Sequence, residues 1–334
     1  MVVLSMAYSG IDASPGAADK PPVSRDIHPW ILTDAYAGLQ AQALGLAEAA
    51  GFVPELRVLA PGRPWRAVPA RFWPAPLTIA GASVSGGLPP LSIACGGMGA
   101  AVGAALRRRG VPAVQVQNPR MDPRRFDVIV AARHDEIAGP NVIVTRTALH
   151  RVTEERLRGE AARWQPRLAH LPRPLVAMLI GGSNGRFRLD AAVARQLGAG
   201  LAAMMARDRV GLALTPSRRT DPAAIQALAD AVAPLGAFVW DGSGDNPYFG
   251  MLALADAIVV TVDSVSMISE AVATAAPVMV AALPGRSRRN ALFTAGLLAE
   301  GRVRPFSGRF ETWSAQPLND TPEAAAEMRR RLRL

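Results

Sequence analysis

Twice in this 334-residue chain a largely apolar run breaks on a cluster of glycines and continues as a helical stretch: LSIAC (91–95) runs into GGMG, and LVAMLI runs into GGSNG (181–185). A strand buried on both faces reads as an unbroken apolar run, and parallel neighbours must be joined by a crossover, usually a helix. The same alternation extends to WILT (30–33), PELRVL (54–59), AVQVQ (113–117), DVIVAA (127–132) and NVIVT (141–145). It then resumes with GLALTPS (211–217), GAFVWDG (236–242), AIVVTVD (257–263) and PVMVAAL (277–283). Helices are predicted over 39–50, from GGMG to 107–110, over about 153–164 and over about 189–206. A terminal helix is predicted from DTPE (320–323), with Asp320 or Thr321 as its cap and Pro322 in its first turn. Between the two series, QPRLAHLPRP (165–174) carries three prolines and no apolar periodicity, which predicts an interdomain linker. The fold class expected is α/β, with two Rossmann-like domains facing each other across a cleft. The divisions are a loosely ordered leader at 1–28, a first domain at 29–168, a second at 169–310, and a terminal helix within 311–334 packing back on the first domain.

Half of the residues are hydrophobic and 19% are charged, enough apolar surface for two cores, which excludes a disordered chain. Cys95 has no partner for an internal disulfide and the four histidines are dispersed without zinc spacing, which predicts a reducing compartment and no metal cofactor. The first residues lack the basic segment of a signal peptide, and no uninterrupted apolar stretch reaches the ~18 residues of a membrane span. The formal net charge is +10 and Lys20 is the only lysine, so arginine carries the basic balance. Such a chain favours acidic partners, a phosphorylated small molecule or an anionic membrane face. Nucleic acid is disfavoured, because only 5% of the residues are aromatic and none interleave with basic runs. A cytoplasmic chain is expected, its basic ending RRRLRL (329–334) able to rest on the inner face of the cytoplasmic membrane.

Polar residues gather where the apolar runs end. In GGSNG, Gly181 and Gly182 allow a tight turn, and the N–H groups around Ser183 and Asn184, with the helix start behind them, are expected to cradle a pyrophosphate. The same glycines would also serve a plain connecting turn. In TVDSVSMISEA (261–271), Ser264 and Ser266 fall at a helix N-terminus, where N–H groups and the helix dipole favour phosphate. Glu270 follows, and a carboxylate there can accept hydrogen bonds from both hydroxyls of a ribose. Without a ligand, Ser264 is a helix cap and Glu270 a solvated acid. TPSRRTD (215–221) sets Ser217, Arg218 and Arg219 just past a strand end, for phosphate contact or as incidental surface charge. Asn246 and Tyr248 open a helix that could line a base pocket or simply pack.

In the first half the acceptor-side candidates are Gly38 and Gln42 after WILT, Gly96 and Gly97 after LSIAC, and Gln117 and Arg120 in QNPR, since open α/β sheets bind ligands at the carboxyl ends of their strands. An imidazole held beside a carboxylate can take a proton from a hydroxyl, so His134 with Asp135, or alternatively Asp34, is the candidate general base. A lone loop histidine is as often merely solvated.

The series TDAYAGLQAQALGLAEA, IACGG, VQVQNPR, HDEIAGPNVIVT, GGSNGRF, TPSRRT, DNPYFGMLALADAIVVTVDSVSMISEA and PVMV, in that order from about Trp30 to Pro305, resembles the elongated-mitochondria family of fission-related proteins and its bacterial relatives. The resemblance implies a GT-B-like fold, the two-Rossmann architecture of many sugar-nucleotide glycosyltransferases. More distantly, the chain is similar to the enzyme that adds N-acetylglucosamine to a lipid-linked peptidoglycan precursor. Carried over residue by residue, Gly181, Gly182, Ser183, Ser264, Ser266 and Glu270 would hold a nucleoside diphosphate sugar, and Arg218 or Arg219 would offset charge on the leaving nucleotide. Two departures are Ala41 before Gln42, where relatives commonly carry a polar residue, and Arg146-Thr147, where a glycine is usual. The function expected is a glycosyltransferase moving a sugar from a nucleotide-sugar donor to an envelope glycolipid or saccharide acceptor, with no cofactor or metal. The plant founding member is an adaptor for fission machinery, so the resemblance equally admits a noncatalytic scaffold that recruits a partner at a membrane surface.

Overall fold

The computed structural model describes residues 27–334, so the expected leader lies outside the described residues but for Ile27 and His28. The first series of apolar runs forms β1 (Trp30–Thr33), β2 (Glu55–Val58), β3 (Ser92–Cys95), β4 (Ala113–Val116), β5 (Val128–Ala132) and β6 (Val142–Thr145). They make a wholly parallel sheet in the order β2-β1-β3-β4-β5-β6. Its helices are α1 (Ala37–Ala49), the short α2 (Pro76–Ala80) and α3 (Gly96–Arg107). Successive side chains on a strand face opposite layers. Ile31 therefore joins the core against α1, and Leu32 the one against α3. Gly99 is required there, because a Cβ would stand 2.3 Å from the carbonyl oxygen of Leu32.

After β6 the chain forms α4 (Glu154–Leu168) and enters the second sheet: β7 (Leu175–Ile180), α5 (Ala191–Asp208), β8 (Gly211–Pro216), α6 (Pro222–Val232), β9 (Phe238–Val239), α7 (Tyr248–Leu254), β10 (Ala257–Thr261), α8 (Val265–Val272), β11 (Val278–Ala281), α9 (Arg288–Ala299) and β12 (Val303–Pro305). The strand order, β12-β11-β10-β7-β8-β9, is that of the doubly wound dinucleotide-binding sheet. The chain closes with α10 (Thr321–Leu332).

Two helices pack on the sheet that the chain is not threading at that moment. α4 follows the first sheet, yet Trp164 and Leu168 are buried among Leu175, Met251 and Ile258 of the second. Trp164 lies so close to α7 that a Cβ on Gly250 would fall 2.4 Å from its indole ring. This burial explains why the helix continues through Pro166 to Leu168, where the start of the linker was expected. Conversely, α10 places Ala324, Ala325 and Met328 in the first sheet's core beside Ala43, Leu46 and Ile143.

Asp320 does not cap α10 with its side chain. Its carboxylate instead accepts from the Arg146 backbone N–H at 2.5 Å, from the Arg146 guanidinium at 2.5 and 3.0 Å, and from the Thr147 N–H at 3.3 Å. Arg146-Thr147, the departure noted in the sequence, is thus the seat of the terminal helix. Of the arginines of RRRLRL, Arg329 donates to the Ala50 carbonyl, Arg330 and Arg331 both pair with Glu327 of the same helix, and Arg330 and Arg333 are exposed. No helix among the described residues is long and apolar enough to cross a membrane.

Candidate functional site

In a doubly wound sheet the first crevice to consider is where consecutive strands leave in opposite directions. That point lies between β1 and β3 in the first sheet and between β7 and β10 in the second. Asp34 and Gly96 end the first pair, and Gly181 and Ser264 follow the second. The two points meet across the cleft: a Cβ added to Gly38, at the start of α1, would stand 3.1 Å from Ser266 Oγ, at the start of α8.

On the second-domain side the glycines are dictated by close packing. A Cβ on Gly181 would lie 2.3 Å from the Asp263 carboxylate, and one on Gly182 would lie 2.3 Å from the Arg219 carbonyl oxygen. The Gly181 N–H donates to Thr261 Oγ1 at 2.8 Å and the Gly182 N–H to Asp263 at 3.0 Å, so these two donors, expected to face a pyrophosphate, serve the loop instead. Nor does GGSNG open the helix directly; α5 starts at Ala191 and is capped by Asp190. Asn184 accepts from the N–H groups of Arg186 and Phe187, and Ser183 Oγ accepts from the Leu189 N–H.

The sequence reading missed Asp263, whose side chain is fully buried and accepts from Thr261, Gly182 and Arg219. A carboxylate between an apolar strand and a serine-capped helix was its available signal. Ser217 Oγ donates to the Gly181 carbonyl at 2.8 Å. Arg219 is held by Asp263 at 3.0 Å, whereas Arg218, exposed, forms no ion pair among the described residues. Ser264 Oγ receives the Met267 N–H at 3.5 Å, a long cap.

Glu270 is no solvated acid: it is 8% exposed, and its Oε2 accepts from the Tyr248 hydroxyl at 2.5 Å. Tyr248 is set by Asn246, which accepts its backbone N–H at 2.9 Å as α7 begins. One oxygen of the carboxylate expected to face a ribose is thus already engaged. Burial pushes the Glu270 carboxyl up to about 7, against the opposing pull of the Tyr248 hydrogen bond and of Arg156. Below the ordinary value of 4.5 both folded and unfolded chains hold the proton, and this contribution to stability is complete; it is lost as pH rises through about 7, where the buried group must ionise. Glu270→Gln should therefore flatten the fall in melting temperature across that window. Parallel pH profiles for parent and variant would contradict it.

On the first-domain side Asp34 is half-buried, and its Oδ1 has no partner among the described residues. Burial raises its pKa. It opens onto a cavity of about 690 Å³ formed at the carboxyl ends of β1 to β4 and by the irregular 59–73 segment, lined among others by Tyr36, Trp65, Gly97 and Arg120. Gly96, at φ 83°, lets the chain turn between Asp34 and Leu39.

The His134–Asp135 pair is not brought together as an acid–base dyad. His134 is 4% exposed, packs edge-on against Phe293 of α9 at 5.0 Å, and neither ring nitrogen finds a partner among the described residues. Burial, reinforced by Arg289, lowers its pKa to about 3, too weak a base to hold a hydroxyl proton near neutrality. Asp135 faces Arg289 instead, at 2.9 Å. Flanking ion pairs, Arg133 with Glu300 and Glu136 with Arg288, make this turn the contact between the first domain and α9. Gln42 and Gln117 are also placed apart from the cavity over Asp34. Gln117 donates to Gln42 at 3.0 Å, and Gln42 donates to the Gly38 carbonyl at 2.9 Å.

Two Rossmann-type sheets with their carboxyl edges turned to one cleft define a GT-B glycosyltransferase-like fold. The overall fold is similar to that of LpCGTa solved in complex with UDP, at a TM-score of 0.51 and 13% identity over 91% of this chain and 94% of that one. It is also similar to the glycosyltransferase SnogD from Streptomyces nogalater, at a TM-score of 0.50 and 16% identity over 92% and 95%. The chain belongs to the mitochondrial fission ELM1 family, whose sequence profile matches residues 37–332. It is 34% identical over 276 residues to mitochondrial fission protein ELM1 of Arabidopsis thaliana, covering 73% of this chain and 64% of the plant protein's length.

Proposed function

We propose that the protein transfers a sugar from a nucleoside diphosphate sugar, held by the second domain, to an acceptor hydroxyl in the cavity over Asp34. The observation that carries this reading is the place of Asp34 in the lining of that cavity, across the Gly38–Ser266 contact from the N-terminus of α8. Asp34 takes the hydroxyl proton as the acceptor oxygen bonds to the anomeric carbon. The bond from that carbon to the diphosphate breaks, and the nucleotide leaves with the electron pair. The helix dipole of α8 and the free guanidinium of Arg218 offset the charge that develops. The UDP in the LpCGTa structure supports a uridine nucleotide as the first ligand to try.

The noncatalytic adaptor is favoured by a different observation: the N–H groups of Gly181 and Gly182 and one oxygen of Glu270 already have internal partners. Calorimetry separates the two readings. Saturable heat with UDP, followed by UDP release from a UDP-sugar when acceptor is added, is the result expected of a transferase. No heat with UDP, GDP, ADP, CDP, TDP or CMP leaves the adaptor. Arg218→Ala should weaken UDP by about 1.5–3 kcal/mol, the value of a charge-assisted hydrogen bond, with no change in fold. Unchanged affinity would remove Arg218 from the donor site.

A further inference from the structure

We propose that the cavity over Asp34 is a subsite for a phosphate-bearing acceptor, with Arg66, Arg71 and Arg120 on the phosphate and Tyr36 and Trp65 offering flat faces to the part beside it. This rests on the transfer reading and names its substrate class. The three arginines line one cavity, are exposed, and form no ion pair among the described residues. Asp34 is the only carboxylate of the lining among the described residues. Three guanidinium groups lining one cavity repel each other unless an anion offsets them, and arginine is the side chain whose planar fork matches phosphate oxygens.

The cations also sit on anchored backbone. Trp73 is buried, and its indole N–H is placed to donate to the carbonyls of Val68 at 3.1 Å and Trp65 at 3.3 Å, which ties down the segment bearing Arg66 and Arg71. The Arg71 guanidinium lies over the Phe72 ring at 4.6 Å. Arg120 is fixed at φ 55° with its N–H donating to Asn118 at 2.8 Å. A phosphate held there orients the remainder of its molecule toward the Asp34 carboxyl group, whereas a neutral acceptor leaves the three charges without a role.

The test uses the full chain and two phosphates from different sources, glucose 6-phosphate and octyl phosphate, each against its neutral counterpart, glucose and octyl glucoside. Binding is read by calorimetry with and without saturating UDP, so that the donor site is filled in one arm. At least one phosphate should bind about tenfold or more tightly than its neutral counterpart, and Arg66→Gln/Arg71→Gln/Arg120→Gln should lose that margin while the melting temperature holds. Preference for glucose 6-phosphate supports a soluble sugar phosphate, and preference for octyl phosphate supports a lipid headgroup. Equal binding of charged and neutral probes, no binding of any probe, or a margin that survives in the triple variant overturns the proposal. A protein that takes a phosphate through these arginines but not UDP loses the transfer reading alone; one that takes UDP and ignores the phosphates loses only this subsite.

Discussion

Asp34→Asn should lower the rate of sugar transfer about 10²–10⁴-fold, the share a positioned general base contributes, and leave UDP affinity as it was. Asparagine keeps the shape of the side chain and removes its capacity to take a proton. Oδ1 has no hydrogen-bond partner among the described residues, so no hydrogen bond is lost with it. The pH dependence sharpens the expectation. A base works deprotonated, and burial lifts this carboxyl above the usual 3.8, so the parent's rate should rise with pH through a limb displaced upward from the ordinary carboxylate range. The variant's residual rate should lack that limb. Initial rates of UDP release across pH decide it, and a variant as fast as its parent assigns the proton to another group.

Trp164→Ala should destabilise the second domain by about 3–5 kcal/mol, the range for deleting a buried indole. The side chain is 3% exposed, meets Phe238 edge-on at 6.4 Å between ring centres, and is pressed against Gly250. Little can collapse into the space, because the facing wall is backbone at Gly250. Denaturant unfolding followed by fluorescence of the remaining tryptophans measures the change. A loss under about 1 kcal/mol would mean that α4 is a dispensable connector rather than part of that core.

The strands were legible because parallel sheets bury both faces, and LVAMLI or AIVV admit little else. The allegiance of α4 was not, although α10 was expected back on the first domain. Periodicity reports which face of a helix is apolar but not which sheet receives it, and here each helix follows one domain and packs on the other. β12 was invisible for another reason: three residues with Arg304 and Pro305 carry no apolar run, and only pairing with β11 makes them a strand.

At the site, Glu270 stood out by type and spacing, whereas its partner Tyr248 lies 22 residues away and was read separately. Asp263 was passed over, although its carboxylate organises the loops that Gly181 and Arg219 belong to. His134 misled because adjacency in sequence was read as adjacency in space. In the tight turn of 133–135 the imidazole goes to Phe293 and the carboxylate to Arg289. Residues 61–73 carried no motif, since a cavity wall made of loop has no period to detect.

The exchange of helices has a mechanical consequence. The chain passes between the sheets twice, once through residues 145–153 into α4 and once through 318–320 into α10, and Asp320 ties the second crossing to Arg146 on the first. Two crossings bonded side by side act as the two pins of a door. Sliding or twisting one sheet past the other would break the Arg146–Asp320 cluster. Widening the cleft about those pins would pull α9 from the 133–136 turn, where three ion pairs serve as a catch whose grip weakens as ionic strength rises.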